Sequence, residues 1–200
     1  PVVAGCTQTL SVGANVASAV TNAANGSTIC LNSGNYSAVN FTNIARTGYV
    51  TVKSVSGGGA QMSPTFSNSD YIRLESMTLS NAQINNCSTN IQIVNNTWAQ
   101  DTGGISVYDY GYCCSASVNK NVLIEGNTMI NTRRTGGEGK ISITGANGVT
   151  ITKNLIQGQP GNKAGGDGIQ MAGAVNNIAI GPGNIFRDIL QAPCGSDPVN

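Results

Sequence analysis

Three short stretches carry most of the charge in the second half of this chain: Ala99 to Gly104, Asn131 to Lys140 and Gln157 to Gly168. They hold Asp101, Arg133, Arg134, Glu138, Lys140, Lys163 and Asp167, and Tyr108, Tyr110 and Tyr112 follow the first of them. Asp101, Glu138 and Asp167 stand four, three and two residues ahead of Ile105, Ile141 and Ile169. A column of carboxylates suits a hard cation that wants oxygen ligands, so Ca²⁺ is the expected ion and these three its expected ligands. Loops are also simply where charges go, and that reading stays open. Elimination from a uronide needs a neutralised carboxylate, a base at the adjacent carbon and an acid for the leaving oxygen. The chain has no His, so the base would be Lys or Arg with a lowered pKa, or Tyr. Arg133, Lys140 and Lys163 are the catalytic candidates, and Arg134, Tyr108 and Tyr110 the substrate-binding ones. Glycoside hydrolysis would instead need two carboxylates flanking a groove. Asp101 and Asp167, two repeats apart at roughly 9.6 Å, are loosely compatible with inversion.

The repeats that would position these groups are legible in the chain. Tyr49-Val50-Thr51-Val52, Tyr71-Ile72-Arg73-Leu74 and Asn90-Ile91-Gln92-Ile93 share one pattern. Asn121-Val122-Leu123-Ile124, Gly148-Val149-Thr150-Ile151 and Asn177-Ile178-Ala179-Ile180 continue it. Successive first apolar residues are 22, 19, 31, 27 and 29 apart. The two-residue alternation is that of a strand, and a strand this short cannot bury its apolar face alone. Stacked in parallel on copies of itself, it builds a continuous core and satisfies its backbone from the copies on either side. The variable spacing then means loops of variable length between constant strands. A second strand precedes the phrase in each copy: Ile105-Ser106-Val107, Ile141-Ser142-Ile143 and Ile169-Gln170-Met171. The expected fold is therefore all-β, a single-stranded parallel β-helix of about seven coils.

Asn96, Asn127 and Asn154 share one offset after the phrase, and Asn184 follows with one extra residue. Asn tolerates a left-handed backbone and bonds locally, so this column marks a repeated turn and is expected to stack as an amide ladder. With 25 Asn and 26 Gly among 200 residues, the chain is composed for frequent turns. Only 10% of residues are charged and 5% aromatic, which suits a long core of small β-branched side chains. A sandwich would need regularly placed hairpin turns, and Asn25-Gly26 and Asn147-Gly148 do not supply them.

One domain is expected over 1–200, with a cap over 1–26, coils over 27–190 and a tail or incomplete coil over 191–200. Asn15 to Ala24 shows helical apolar spacing followed by Asn25-Gly26, a short helix that would cover the first coil. The tail offers no such element, so the C-terminal end is expected to be open. Six Cys and no initiating Met suggest an exported chain, secreted or on the cell surface. Cys6 and Cys30 flank the capping helix and form the natural pair; Cys113 and Cys114 are expected to reach Cys87, Cys194 or other partners. The lack of His and of C-x-x-C disfavours zinc. Five N-x-S/T triplets begin at Asn25, Asn35, Asn40, Asn86 and Asn95, although a chain this rich in Asn, Ser and Thr makes such triplets by chance. No apolar run approaches membrane-spanning length. A net charge of +1 offers no basic face for nucleic acid.

The stretch Ala23-Ala24-Asn25-Gly26-Ser27-Thr28-Ile29-Cys30-Leu31 through Gly34-Asn35-Tyr36 resembles the opening of the pectate-lyase-like, right-handed parallel β-helix superfamily. Together with the coils, the resemblance covers nearly the whole chain, and it implies a right-handed helix with an N-terminal capping helix. It does not imply one activity, because that superfamily holds lyases, hydrolases, epimerases, adhesins and tailspikes. A narrower similarity, from Asn127 through Gly136-Gly137-Glu138-Gly139-Lys140-Ile141-Ser142-Ile143-Thr144, is to the alginate and chondroitin lyases of polysaccharide lyase family six. There two glutamates help hold calcium and a lysine after the strand takes the proton. Glu138 matches the first glutamate, Lys140 replaces the second, and the base position falls near Thr144, so the base is missing.

Two functions of different class follow. One is a carbohydrate-active domain binding an anionic polysaccharide along the loop-bearing face and, if an enzyme, cleaving it by β-elimination. A single Trp and few aromatics weigh against sugar stacking. The other is a non-enzymatic adhesin, stalk or filament subunit that associates with itself through the open C-terminal end. An ice-binding solenoid would need regularly recurring T-x-T, which is absent.

Overall fold

The computed structural model describes residues 4–99, 102–109, 120–130, 140–158 and 168–189. The chain begins with β1 (Gln8–Leu10), helix α1 (Val16–Asn22), β2 (Thr28–Leu31), β3 (Gly34–Thr42), β4 (Val50–Ser54) and β5 (Ala60–Ser67). Next come β6 (Asp70–Glu75), β7 (Thr78–Leu79), β8 (Ala82–Asn85), β9 (Thr89–Val94), β10 (Thr97–Trp98) and β11 (Ile105–Tyr108). The second half adds β12 (Val122–Glu125), β13 (Thr128–Ile130), β14 (Ile141–Thr144) and β15 (Asn147–Thr152). It closes with β16 (Leu155–Gln157), β17 (Ile169–Ala172), β18 (Asn176–Ile180) and β19 (Ile185–Arg187). The fold is all-β apart from one short helix, and every strand pairing is parallel.

The strands stack in the order the chain winds. One sheet runs β1-β2-β4-β6-β9-β12-β15-β18 and contains all six copies of the repeat phrase. The other divides at the long strand β5. The first half of β5 pairs with β7, leading to β10, β13, β16 and β19; its second half pairs with β8, leading to β11, β14 and β17. Each turn of the solenoid from β6 onward therefore has three strands, where the sequence shows two. The missing one, as in Thr97-Trp98, is only two or three residues long, too short to display a period.

Alternation turns one side chain in two inward, and register stacks these into columns. Ile29, Val52, Leu74, Ile93, Ile124, Ile151 and Ile180 form one. Phe41, Phe66, Ile84, Val107, Ile143 and Met171 form a second, opened by the stacked rings of Phe41 and Phe66, 5.0 Å apart. The third arm contributes Met62, Leu79, Trp98, Met129, Ile156 and Phe186. Nearly all are fully buried, each contributing about 1.5–3 kcal/mol by burial. The last member of each column differs: Ile180, Met171 and Phe186 are 48%, 46% and 44% exposed.

The asparagine column is an amide ladder. The backbone N–H groups of Asn96, Asn127 and Asn154 donate to Oδ1 of Asn127, Asn154 and Asn184, at 2.9–3.0 Å. Each Nδ2 donates in turn to a carbonyl of the preceding turn, from Asn96 to Leu74, Asn127 to Ile93, Asn154 to Ile124 and Asn184 to Ile151. The extra residue before Asn184 does not displace it. One expectation is corrected: the left-handed residue is not the ladder asparagine but the one before it. Asn95, Gly126, Lys153 and Gly183 have φ of 54, 66, 57 and 82°. That bend turns the next side chain inward, where a primary amide supplies both the acceptor and the donor that the buried corner lacks.

At the N-terminal side α1 buries Val16 and Val20. Asn15 caps it by accepting from Ser18 N–H at 2.9 Å. Its C-terminal carbonyls are met by Arg46, which donates to Val20 O at 2.8 Å and Ala23 O at 2.6 Å. Cys6 and Cys30 are joined, as expected. Cys87 is disulfide-bonded too; Cys113, Cys114 and Cys194 lie outside the described residues.

Removing the middle of the ladder tests its weight. Asn127→Ala strips a carbonyl and two donors of their partners at a buried corner and is expected to cost about 3 kcal/mol. Asn184→Ala, at the less buried end, is expected to cost under half of that. Urea unfolding midpoints of the two variants check the order.

Candidate functional site

The three charged stretches fall between β10 and β11, between β13 and β14, and between β16 and β17. All three leave one arm and enter the β8-β11-β14-β17 face at the same corner, about 4.8 Å apart per turn. The strands that flank them are stacked in register, one turn apart. Asp101, Arg133, Arg134, Glu138, Lys163 and Asp167 themselves lie outside the described residues, as do Tyr110 and Tyr112. Among the described residues no three His, Cys, Asp or Glu side chains gather as a metal site.

Lys140 is described, and it is 1% exposed, among the largest fully buried side chains. Its carbonyl accepts from Ile105 N–H at 2.8 Å, and a side chain at Gly104 would run into that carbonyl. The roots of two adjacent insertions therefore meet backbone to backbone. To act as a base, Lys140 would need a substrate atom inside this buried environment.

Tyr108 is not beside Lys140. It ends β11 and is level with Thr144 of β14, four residues past Lys140 along the strand direction, or about 13 Å. Because all strands run the same way, residues preceding a strand and residues ending its neighbour lie at opposite edges of the face. Tyr108 and Lys140 therefore stand a strand length apart on this face. What lies between is a floor of short polar side chains: Gln83, Ser106, Ser142 and Gln170 in one column, Asn85, Tyr108 and Thr144 in the next. Asn85 Nδ2 donates to Tyr108 Oη at 2.9 Å. Asn85 Oδ1 is buried with no hydrogen-bond partner among the described residues, an acceptor left over on this floor.

The edge beyond Tyr108 holds a group that sequence reasoning missed. Lys120 Nζ lies 3.3 Å from Asp109 Oδ2, both side chains nearly inaccessible at 3% and 7%. The same ammonium donates to the Asn86 carbonyl. One cation thereby ties the corner after β8 to the end of β11. A Lys flanked by Asn119 and Asn121 looks like an ordinary exposed turn residue; only coil-to-coil register brings it to Asp109. Lys120→Met leaves Asp109 buried without its counter-charge and is expected to cost about 3–5 kcal/mol. Adding Asp109→Asn should return part of that loss, a coupling readable by a double-mutant cycle in urea.

No family model matches the chain, and no curated protein matches its sequence. Among solved structures the chain is similar to a mannuronic acid specific polysaccharide family 6 lyase from human gut microbiota, at 15% identity and a TM-score of 0.48. That match covers 84% of this chain and 52% of the other, so this chain spans about half the length of that structure. It is also similar to the alginate lyase from Paenibacillus sp. str. FPU-7, at 14% identity and a TM-score of 0.35, over 94% of this chain and 100% of that one. Likenesses this distant assign no activity, and the solenoid architecture rests on the strand register itself.

Proposed function

We propose that this protein is an extracellular β-helix domain that recognises an anionic polysaccharide along the β8-β11-β14-β17 face. The observation that carries the reading is topological: β11, β14 and β17, each of which follows a charged stretch in the sequence, stack in register, and their face carries the polar column Gln83, Ser106, Ser142 and Gln170. A polar strip that crosses successive turns suits a linear chain. Arg133, Arg134 and Lys163 would supply positive charge for carboxylates, and Asp101, Glu138 and Asp167 would take Ca²⁺. If the domain is an enzyme, the residue types at that edge serve β-elimination, with Arg133, Lys140 or Lys163 as the base and Arg134, Tyr108 and Tyr110 holding the sugar. Parallel strands joined by crossovers are right-handed in the great majority of cases. The domain is accordingly a single right-handed helix of about seven coils with α1 as its N-terminal cap.

A second reading has one observation in its favour. Ile180, Met171 and Phe186 continue the three core columns yet remain nearly half exposed. An apolar end of this kind would serve a stalk or filament subunit that stacks on another copy.

Absorbance of unsaturated uronides released from alginate, pectate and glycosaminoglycans, with and without Ca²⁺, tests the first reading. A calcium-dependent rise is expected, slowed on the order of 100-fold or more by Arg133→Ala, in the range typical of lost acid–base groups. A flat trace, with no retention of the protein on any of these polymers, overturns it. Size that grows with protein concentration would then favour stacking.

A further inference from the structure

The outer surface of the first sheet carries a second cluster, remote from the charged insertions. The first residues of the repeat phrase stack into a column: Tyr49, Tyr71, Asn90, Asn121, Gly148 and Asn177. From Tyr71 onward every member is left-handed, with φ of 54, 52, 47, 75 and 50°. Asn and Gly occupy such a backbone at little cost, whereas a bulky aromatic there is an outlier. Tyr71 is that outlier, and the residues its neighbours use would relieve it. Strain kept where a cheaper residue is available points to a use for the side chain.

The surroundings of Tyr71 indicate what use. Its ring meets Tyr49 edge-to-face at 5.3 Å, making an aromatic pair across two turns. Two residues along the same strand, Arg73 donates to Glu75 Oε2 at 2.9 Å and to Gln92 Oε1 at 2.8 Å. Burial raises the pKa of the Tyr49 phenol, and the neighbouring Gln92 side chain opposes that rise. Tyr, Arg, Gln and Glu are thus fixed by one another on a rigid sheet, with Arg73 and Glu75 only partly exposed at 28% and 29%. Beyond them a depression of about 280 Å³ is lined by Lys53, Ser54, Glu75 and Ser76 among others. From Tyr71 to Glu75 the strand covers about 13 Å, room for a short run of sugar rings.

We propose that Tyr49, Tyr71, Arg73, Glu75 and Gln92 form a binding platform for neutral hexopyranose units of a glycan, separate from the face assigned above. Aromatic rings supply an apolar surface for the C–H face of a pyranose, and a locked set of planar donors and acceptors meets its vicinal hydroxyls. The ligand is neutral because Glu75 lies inside the patch and already engages Arg73. This inference does not depend on the proposed function: the two surfaces are on different sheets and respond to different variants.

Native affinity electrophoresis in soluble glucomannan, with alginate as the anionic comparison, tests it on the whole chain. Wild-type protein is expected to be retarded by glucomannan. Tyr71→Asn should weaken the association at least tenfold while its Tm stays level or rises, Tyr71→Phe should keep binding, and Arg73→Gln should weaken it. Arg133→Ala should leave the glucomannan retardation as it is, which separates this result from any failure of the uronide assay. The proposal is overturned by no retardation of wild-type protein, by retardation in alginate alone, or by unchanged retardation in Tyr71→Asn. A Tm that falls in Tyr71→Asn overturns it too, since the ring would then be a packing element.

Discussion

Everything in this molecule depends on one turn of chain hydrogen-bonding to the next in constant register. No strand is long enough to stand alone, and several are two or three residues long. Each is stable only because its backbone donors and acceptors are met by the turns on either side. Register then decides the rest: a slip of one residue would turn each apolar column outward. The amide ladder guards against that slip, since an asparagine displaced by one position would leave buried backbone groups unmet.

The same constraint explains where chemistry is allowed. Inward positions are occupied by the core, so variation is confined to the corners and the outward columns. The corner between the short arm and the β8-β11-β14-β17 face absorbs insertions in three turns without disturbing the strands before or after it. The corner after β11 takes another and is closed beneath by the buried Lys120–Asp109 pair. Ladder corners, by contrast, are two-residue bends between strands and accept little, Gly181 to Asn184 being the one extended case.

How much of this was legible follows from length scales. Alternation over three or four residues, repeated six times, was enough to find the first sheet and the strands that precede it. The ladder asparagines were visible because their offset is short and constant. The third strand was not, because a two-residue element has no period. The separation of Tyr108 from Lys140 is not legible either, because the two ends of a parallel face are a strand apart in space. Lys120 and Asp109 meet only through stacking across a ten-residue insertion, and a single sequence carries no trace of that. Tyr49 and Tyr71 stood in plain sight as first letters of the repeat phrase. The left-handed φ that Tyr71 shares with Asn90 and Asn121, and that makes a tyrosine there an outlier, is not written in the residue itself.

The ladder also has an architectural meaning. Its rungs are interchangeable: each asparagine presents the same acceptor upward and the same donor downward, whichever turn it belongs to. Each corner from β9 to β19 therefore presents its neighbours with the same hydrogen-bonding pattern, whatever lies between one corner and the next. A turn can lengthen away from its ladder corner without changing how it joins the turns beside it, so the length of a turn is free to vary where the stacking is not.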